Sequence, residues 1–365
     1  MNARVLVMAG GTGGHVFPAL AVAEALRARG AEVTWMGTRL GLEARVVPAA
    51  GIPVEWITIG GLRGKSLGTR LAAPFRIGLA VAQAMRIIGR LRPAVVLGMG
   101  GYAAGPGGVA AWLLRKPLVI HEQNAIAGTT NRMLARLARR VLAAFPGAFP
   151  AGVHAEVVGN PVRPAIAALP TPGRRYAERS GRLRLLVLGG SQGALALNES
   201  VPVALAHLPE PLRPEVRHQA GRNTLERARD AYARHGVEAE VTEFIDDMAE
   251  AYGWADLAIC RAGALTVSEL AAAGLPAVLV PFPAAVDNHQ TLNGGYLVAA
   301  GGAVLLPEKQ LGHERLGRVL AGLLADRGRL LDMARRARGA ARPEALAAIQ
   351  QALVEAGGLD LEAAA

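Results

Sequence analysis

Apolar positions along this chain come in short runs, each followed by a longer stretch in which apolar residues recur every three or four positions. Short runs rich in Val, Leu and Ile and bounded by glycine or proline read as buried strands, and the periodic stretches read as amphipathic helices. In the first half, strands are expected at Arg4–Met8, Glu32–Met36, Val54–Ile57, Ala94–Leu97, Leu118–His121 and Val141–Ala143. The pattern resumes at Leu183–Leu188, Glu215–Gln219, Glu240–Thr242, Leu257–Cys260, Ala277–Val280 and Ala303–Leu305. Strands alternating with helices imply an α/β class with parallel sheets covered on both faces. The pattern breaks at Gly159-Asn-Pro-Val-Arg-Pro164, a hinge signal, which divides the chain into expected domains 1–162 and 163–340. A last helix is expected near 341–357, and the acidic-alanine tail 358–365 is expected to be disordered.

Two expected strands lead into the same device. Val5-Leu-Val-Met-Ala-Gly-Gly-Thr-Gly-Gly-His15 and Leu185-Leu-Val-Leu-Gly-Gly-Ser-Gln-Gly-Ala194 each pass from strand through a glycine turn into a helix. Such turns present free backbone N–H groups and a helix N-terminus, which suit a phosphate. Two of them, one domain apart, point to two Rossmann-like halves sharing a phosphate-bearing ligand or pair of ligands. The first turn lacks the third glycine of a dinucleotide fingerprint, and no carboxylate follows the second strand at Trp35-Met-Gly-Thr-Arg39. No Gly-Lys-Ser/Thr completes a P-loop either.

Charge adds an asymmetry. Residues 1–163 carry 19 Lys+Arg against six Glu and no Asp, a balance of +13, whereas residues 164–365 carry −2. Seven basic residues and no acidic one lie between Leu62 and Pro93, interleaved with apolar side chains. That composition fits an ordinary surface helix, or a face that docks on an anionic leaflet. Nucleic acid is disfavoured, because aromatics are only 4% of the chain and no nucleic-acid-binding signature is present. A single cysteine, Cys260, rules out an internal disulfide framework and reads as a buried small apolar residue rather than a nucleophile. No apolar run is long enough to span a bilayer, and no signal-peptide pattern is expected at the N-terminus.

Further chemistry sits at expected strand ends. Gly98-Met-Gly-Gly-Tyr-Ala-Ala-Gly-Pro-Gly-Gly108 is either a tight connection or a second loop gripping the anion of the first turn. His121-Glu-Gln-Asn124 lies where doubly wound folds bind ligands, although Glu122 or Asn124 capping the next helix is the plainer reading. The stretch Phe244-Ile-Asp-Asp-Met248, followed by Arg261-Ala-Gly-Ala-Leu-Thr-Val-Ser-Glu269 and by Asp287-Asn-His-Gln290, gives a third strand–glycine–helix turn. Glu269 either complements its helix dipole or accepts hydrogen bonds from both hydroxyls of a ribose.

Taken in order, Gly10–His15, Gly100–Pro106, His121–Asn124, Gly159–Arg163, Gly189–Ala194, Phe244–Met248, Arg261–Glu269 and Asp287–Gln290 resemble the bacterial MurG glycosyltransferases over nearly the whole chain. Ala94 and Ala104 depart from that pattern, standing where Asp and Ser are expected. The resemblance implies the GT-B architecture, two Rossmann-like domains with an interdomain cleft and the last helix returning to the first domain. It also implies transfer of N-acetylglucosamine from UDP-N-acetylglucosamine to the C4 hydroxyl of lipid I, forming lipid II for peptidoglycan. Other readings of the same architecture are a UDP-N-acetylglucosamine epimerase or a transferase acting on another lipid.

Carried over residue by residue, the implied donor contacts are Thr12, Gly13, Gly14, Asn124, Arg163, Ser191, Ile245, Ala264, Leu265, Thr266, Val267, Ser268, Glu269 and Gln290. In this scheme Ile245 meets uracil, Glu269 holds the ribose, Ser191 with the Leu265–Thr266 turn holds the diphosphate, and Gln290 with Asn124 recognises the sugar. Gly13, Gly14, His15, Gly101, Tyr102 and Gly105 would take the acceptor diphosphate. His15 is the candidate base, since imidazole accepts protons at neutral pH; hydrogen bonding to a phosphate or to the donor sugar is the alternative. No cofactor or metal is implied, and no Asp-x-Asp motif occurs. The implied location is peripheral, on the cytoplasmic face of the inner membrane, where Phe75, Arg76, Leu79, Arg86 and Trp112 would meet the anionic leaflet. Other cell-wall synthesis proteins are candidate partners.

Overall fold

The structure is a computed structural model and describes residues 3–60, 73–190 and 193–361. The chain divides into two compact units, Met1–Pro161 with Glu344–Ala365, and Val162–Pro343. Unit 1 contains a parallel sheet of seven strands: β1 (Arg4–Met8), β2 (Glu32–Gly37), β3 (Val54–Trp56), β4 (Val95–Gly98), β5 (Leu118–Glu122), β6 (Arg140–Ala143) and β7 (Glu156–Val157). Their order is β3-β2-β1-β4-β5-β6-β7. Unit 2 contains six: β8 (Arg184–Leu188), β9 (Glu215–Gln219), β10 (Glu240–Thr242), β11 (Leu257–Cys260), β12 (Ala277–Leu279) and β13 (Ala303–Leu305), ordered β10-β9-β8-β11-β12-β13. Each sheet therefore reverses its winding once, between β1 and β4 and between β8 and β11. Ligands of such sheets bind outside the carboxyl ends of the strands at that reversal.

Both faces of β1 are buried, so its sequence is an unbroken apolar run rather than an alternation. Val5 and Val7 pack into a core with Val22, Leu26 and Trp35, while Leu6 and Met8 face a second core with Met36, Ile88 and Leu134. The helix Ala345–Gly357 belongs to unit 1, where Ile349, Ala352 and Leu353 join the first of these cores. Gly358 ends it in the left-handed conformation. The tail 358–365, expected to be disordered, begins ordered, because Leu359 is buried in that same core. Residues 362–365 lie outside the described residues. The two-residue strand β7 is the element that the pattern misses, being too short to show a period.

The basic stretch 62–93 is described only from Ala73. From there it forms the helix Ala73–Leu91, whose second half packs through Ala80, Ala84, Ile87 and Ile88. Its first turns carry Phe75 and Leu79 outward at 79% and 47% exposure, and Arg76 and Arg86 are exposed as well. Ile87 and Ile88 are thus core positions rather than part of any docking face. Trp112, on the helix Ala104–Leu113, is half-exposed.

Candidate active site

In unit 1 the loops after β1 and β4 flank the sheet reversal and pack backbone against backbone. Gly101 adopts a φ of +83°, and a Cβ there would lie 2.2 Å from the Gly10 carbonyl oxygen, so only glycine fits. Thr12 is the N-cap residue of the helix Gly13–Ala28 and makes no side-chain cap, which leaves the first-turn amides of Gly13 and Gly14 without an intrahelical acceptor. Thr12, Gly14 and Tyr102 are exposed; Gly13, His15, Gly101 and Gly105 are partly so. The residues expected around an acceptor diphosphate therefore lie together at the carboxyl edge of the sheet. A cavity of about 760 Å³ opens beside them, lined by Gly11, Thr38, Arg39, Trp56, Arg76 and Tyr102 among others.

Glu43 holds this edge in shape. Its fully buried carboxylate accepts from Gly11 N (2.9 Å), Thr38 N (3.0 Å) and Thr38 Oγ1 (2.8 Å), tying the loop after β1 to the loop after β2. Gly10, Gly37 and Gly41 give the room: a Cβ at any of them would come within 2.8 Å of the Glu43 side chain. Sequence reading passed over Glu43; the signal available was one of only six carboxylates in an otherwise basic half, set among glycines.

The segment after β5 divides by strand alternation. Glu122 accepts from Asn124 N and Nδ2, from Gly128 N and from Asn131 Nδ2, and so organises the start of the helix Thr129–Leu134. His121 and Gln123 point the other way, buried, toward His15: Gln123 Oε1 lies 2.6 Å from His15 Nδ1. Asn124 is partly buried at the loop.

In unit 2 the turn after β8 crosses beside β9. Gly193, at φ +79°, stands where a Cβ would meet the Ala220 carbonyl oxygen at 2.6 Å. Ser191 lies outside the described residues. Gly263 is the N-cap residue of the helix Ala264–Ala273, which starts directly after β11. The helical period separates the run 264–269. Ala264 and Val267 turn into the core, and Val267 N is bonded to Gly263 O. Leu265, Thr266, Ser268 and Glu269 lie on the open side, with Ser268 Oγ donating to Ala264 O.

Glu269 is held by three hydrogen bonds. Its Oε1 accepts from Arg163 Nε (3.2 Å) and Nη2 (3.0 Å), and its Oε2 accepts from Tyr252 Oη (3.1 Å). Burial pushes the Glu269 carboxyl above the usual carboxylate range, against the pull of Arg163, and burial holds Tyr252 well above its ordinary value as a protonated donor. Burial also pushes the Cys260 thiol up to about 12, which suits an inert core position. Gln290 Oε1 accepts from Phe282 N (2.9 Å), just after left-handed Asp287 and Asn288. Ile245 is half-buried, while Asp247 accepts from Glu250 N as a helix cap. Among the described residues no cluster of three His, Cys, Asp or Glu side chains is placed to hold a metal.

Two doubly wound units, each with a phosphate-type turn at its reversal, define the GT-B fold, and the chain belongs to glycosyltransferase family 28. The N-terminal domain of that family matches residues 5–143 and the C-terminal domain residues 184–350. Within the family the chain stands with the MurG transferases: it resembles the MurG structure of Acinetobacter baumannii with a TM-score of 0.87 and 42% identity, over 96% of this chain and 99% of that one. It is 60% identical to a protein of Alkalilimnicola ehrlichii over 97% of this chain and 99% of that one. It is 61% identical to one of Nitrosococcus oceani over 93% and 94%. Both relatives are named UDP-N-acetylglucosamine–N-acetylmuramyl-(pentapeptide) pyrophosphoryl-undecaprenol N-acetylglucosamine transferase. A UDP-GlcNAc 2-epimerase of Neisseria meningitidis shares the fold at 14% identity and a TM-score of 0.65.

Proposed function

We propose that this chain transfers N-acetylglucosamine from UDP-N-acetylglucosamine to the C4 hydroxyl of lipid I, with inversion and without a metal, to give lipid II. The observation that carries this reading is Glu269, a carboxylate whose two oxygens are oriented by Arg163 and Tyr252 beside a helix N-terminus at the reversal of unit 2. A carboxylate so placed matches the cis-diol of a ribose, and the first-turn amides at Leu265 and Thr266 suit the attached diphosphate. As the C1–O bond of the donor breaks, charge develops on the departing UDP, and fixed amide dipoles stabilise it without reorganising. In this reading Ile245, half-buried, meets uracil through its backbone, and Gln290, whose Oε1 accepts from Phe282 N, recognises the sugar through the rest of its amide.

Unit 1 supplies the acceptor side: the first-turn amides of Gly13 and Gly14 with the Gly101–Gly105 loop for the acceptor diphosphate, and His15 to take the C4 hydroxyl proton. A direct displacement turns the α-linked donor into a β-linked product. No helix among the described residues is long and apolar enough to cross a membrane. Phe75, Leu79 and Trp112, with Arg76 and Arg86, form the surface that meets the inner leaflet of the cell membrane, each basic residue contributing about 1 kcal/mol near anionic lipid.

One incubation tests the function: labelled UDP-N-acetylglucosamine with and without lipid I. Released UDP together with a labelled lipid, only when lipid I is present, is expected. Turnover of the sugar nucleotide without lipid I, or a change of sugar configuration with no transfer, overturns the reading.

A further inference from the structure

Histidine can act as a base through either ring nitrogen, and the hydrogen bonds around His15 decide which one. The chain of contacts starts in the core of unit 1. His121 is fully buried, and its Nε2 lies 2.8 Å from the carbonyl oxygen of Gly159. A carbonyl only accepts, so Nε2 carries the hydrogen. Burial lowers the His121 pKa to about 4, so at neutral pH the ring is uncharged and its Nδ1 holds a lone pair.

Gln123 reads that lone pair. Its amide nitrogen lies 3.0 Å from His121 Nδ1 and 3.0 Å from the His121 carbonyl oxygen. Both are acceptors, and the two amide hydrogens satisfy both. The flipped amide would set its oxygen against two acceptors inside a buried site with no hydrogen between them, a costly arrangement. The oxygen of Gln123 is therefore the end that faces His15, at 2.6 Å from Nδ1.

We infer that Gln123, oriented by His121, fixes His15 as the Nδ1–H tautomer and leaves Nε2 as the nitrogen that takes the acceptor proton. The tautomer follows from the geometry alone; the proton transfer rests on the reading of His15 as the base. Among the described residues Nε2 has no hydrogen-bond partner, so its lone pair is open. Gly100 presses on the ring from one side, where a Cβ would lie 2.8 Å from Nδ1, so the imidazole is held in place as well as oriented. In the transfer step the C4 hydroxyl gives its proton to Nε2, its oxygen forms the new bond to C1, and the C1–O electron pair leaves with UDP. The resulting imidazolium keeps its Nδ1–H on the neutral Gln123 oxygen. Glu122, the one carboxylate in this segment, is committed to Asn124, Gly128 and Asn131 and takes no part. Gln123 and His121 are positioning residues, acting on substrate only through His15.

The test uses the full chain labelled with ¹⁵N in histidine, its ring nitrogens read by long-range ¹H–¹⁵N correlation at pH 8, with His15 assigned by its loss in His15→Ala. The expected spectrum shows His15 Nδ1 protonated and Nε2 bare; protonated Nε2 overturns the inference, and the tautomer is read on the unmutated protein, His15→Ala serving only for the assignment. Gln123→Met keeps the side chain's length and removes the acceptor. His15 should then revert toward the Nε2–H form that histidine prefers in water, and kcat should fall by roughly 10²-fold, with the donor KM within twofold. An unchanged His15 tautomer in Gln123→Met overturns the role of Gln123. Full turnover in His15→Ala, with the tautomer as stated, overturns the base assignment instead and leaves the orientation of His15 standing.

Discussion

Replacing Glu43 by Gln isolates how much of the acceptor edge depends on one buried carboxylate. In the native structure its two oxygens face three donors, Gly11 N on one side and the amide and hydroxyl of Thr38 on the other. A Gln amide offers one acceptor oxygen, so whichever way it is set, its NH₂ must face an N–H donor. At least one hydrogen bond to a charged group is lost and one buried donor is orphaned, at a cost of about 1.5–3 kcal/mol. Relaxation is restricted, because Gly10, Gly37 and Gly41 already leave the side chain no slack. For a unit of this size a loss of about 2 kcal/mol lowers the unfolding midpoint by about 4–8 °C. Gly11 is one of the displaced partners and leads into the first turn of the Gly13–Ala28 helix, so the lipid I KM should rise as well. UDP binding should hold, since Glu269, Arg163 and Tyr252 all belong to unit 2. Scanning calorimetry, acceptor kinetics and UDP titration calorimetry read the three quantities separately. A Glu43→Gln protein with an unchanged midpoint and an unchanged acceptor KM would refute the reasoning, as would an equal loss of UDP affinity.

Tyr252→Phe removes one of three donors that orient Glu269, and should weaken UDP about five- to tenfold, near 1–1.4 kcal/mol; binding of 2′,3′-dideoxy-UDP should change little, and an equal loss for both ligands counts against Glu269 as the ribose acceptor. Burial lowers His121 to about 4 and His218 to about 3, so unfolding takes up protons between those values and about 6.5. Stability is then complete above about pH 6.5 and is lost as pH falls, by about 3 kcal/mol from His121 alone at pH 4; urea midpoints that stay flat from pH 6.5 to 5 would contradict this. Charge reversal at Arg76 and Arg86 together should lower binding to anionic vesicles and turnover of lipid-linked acceptor while sparing a short-chain soluble acceptor; equal loss with both acceptors removes the membrane assignment. His15→Ala should lower turnover by roughly 10²-fold, whereas a change confined to acceptor affinity makes His15 a phosphate ligand.

The two parallel sheets were legible because each central strand is buried on both faces and therefore reads as an unbroken apolar run, as in Val5–Met8 and Leu257–Cys260. The glycine turns were legible for a related reason: left-handed backbone at Gly11, and left-handed backbone with close approach at Gly101 and Gly193, call for glycine, so the composition of the turn announces its shape. The short strand β7 left no signal because two residues have no period. Which residues of the run 264–269 turn inward was not legible, because a motif carries no direction; the helix, once placed on the sheet, turns Ala264 and Val267 into the core and leaves Leu265, Thr266, Ser268 and Glu269 on its open side.

Sequence by itself determined the class of fold, the division near Pro161, the glycine turns and the residue types available for chemistry, since these follow from local pattern and spacing. Tertiary structure alone decided the partnerships: Glu43 with Gly11 and Thr38, Tyr252 and Arg163 with Glu269, and the chain from Gly159 through His121 and Gln123 to His15. Those contacts join residues up to 108 positions apart, and His15 and Gln123 meet because β1 and β5 both pair with β4 and end at one edge of the sheet. A hydrogen bond takes its meaning from what lies on both sides of it. Its far side is a product of the fold.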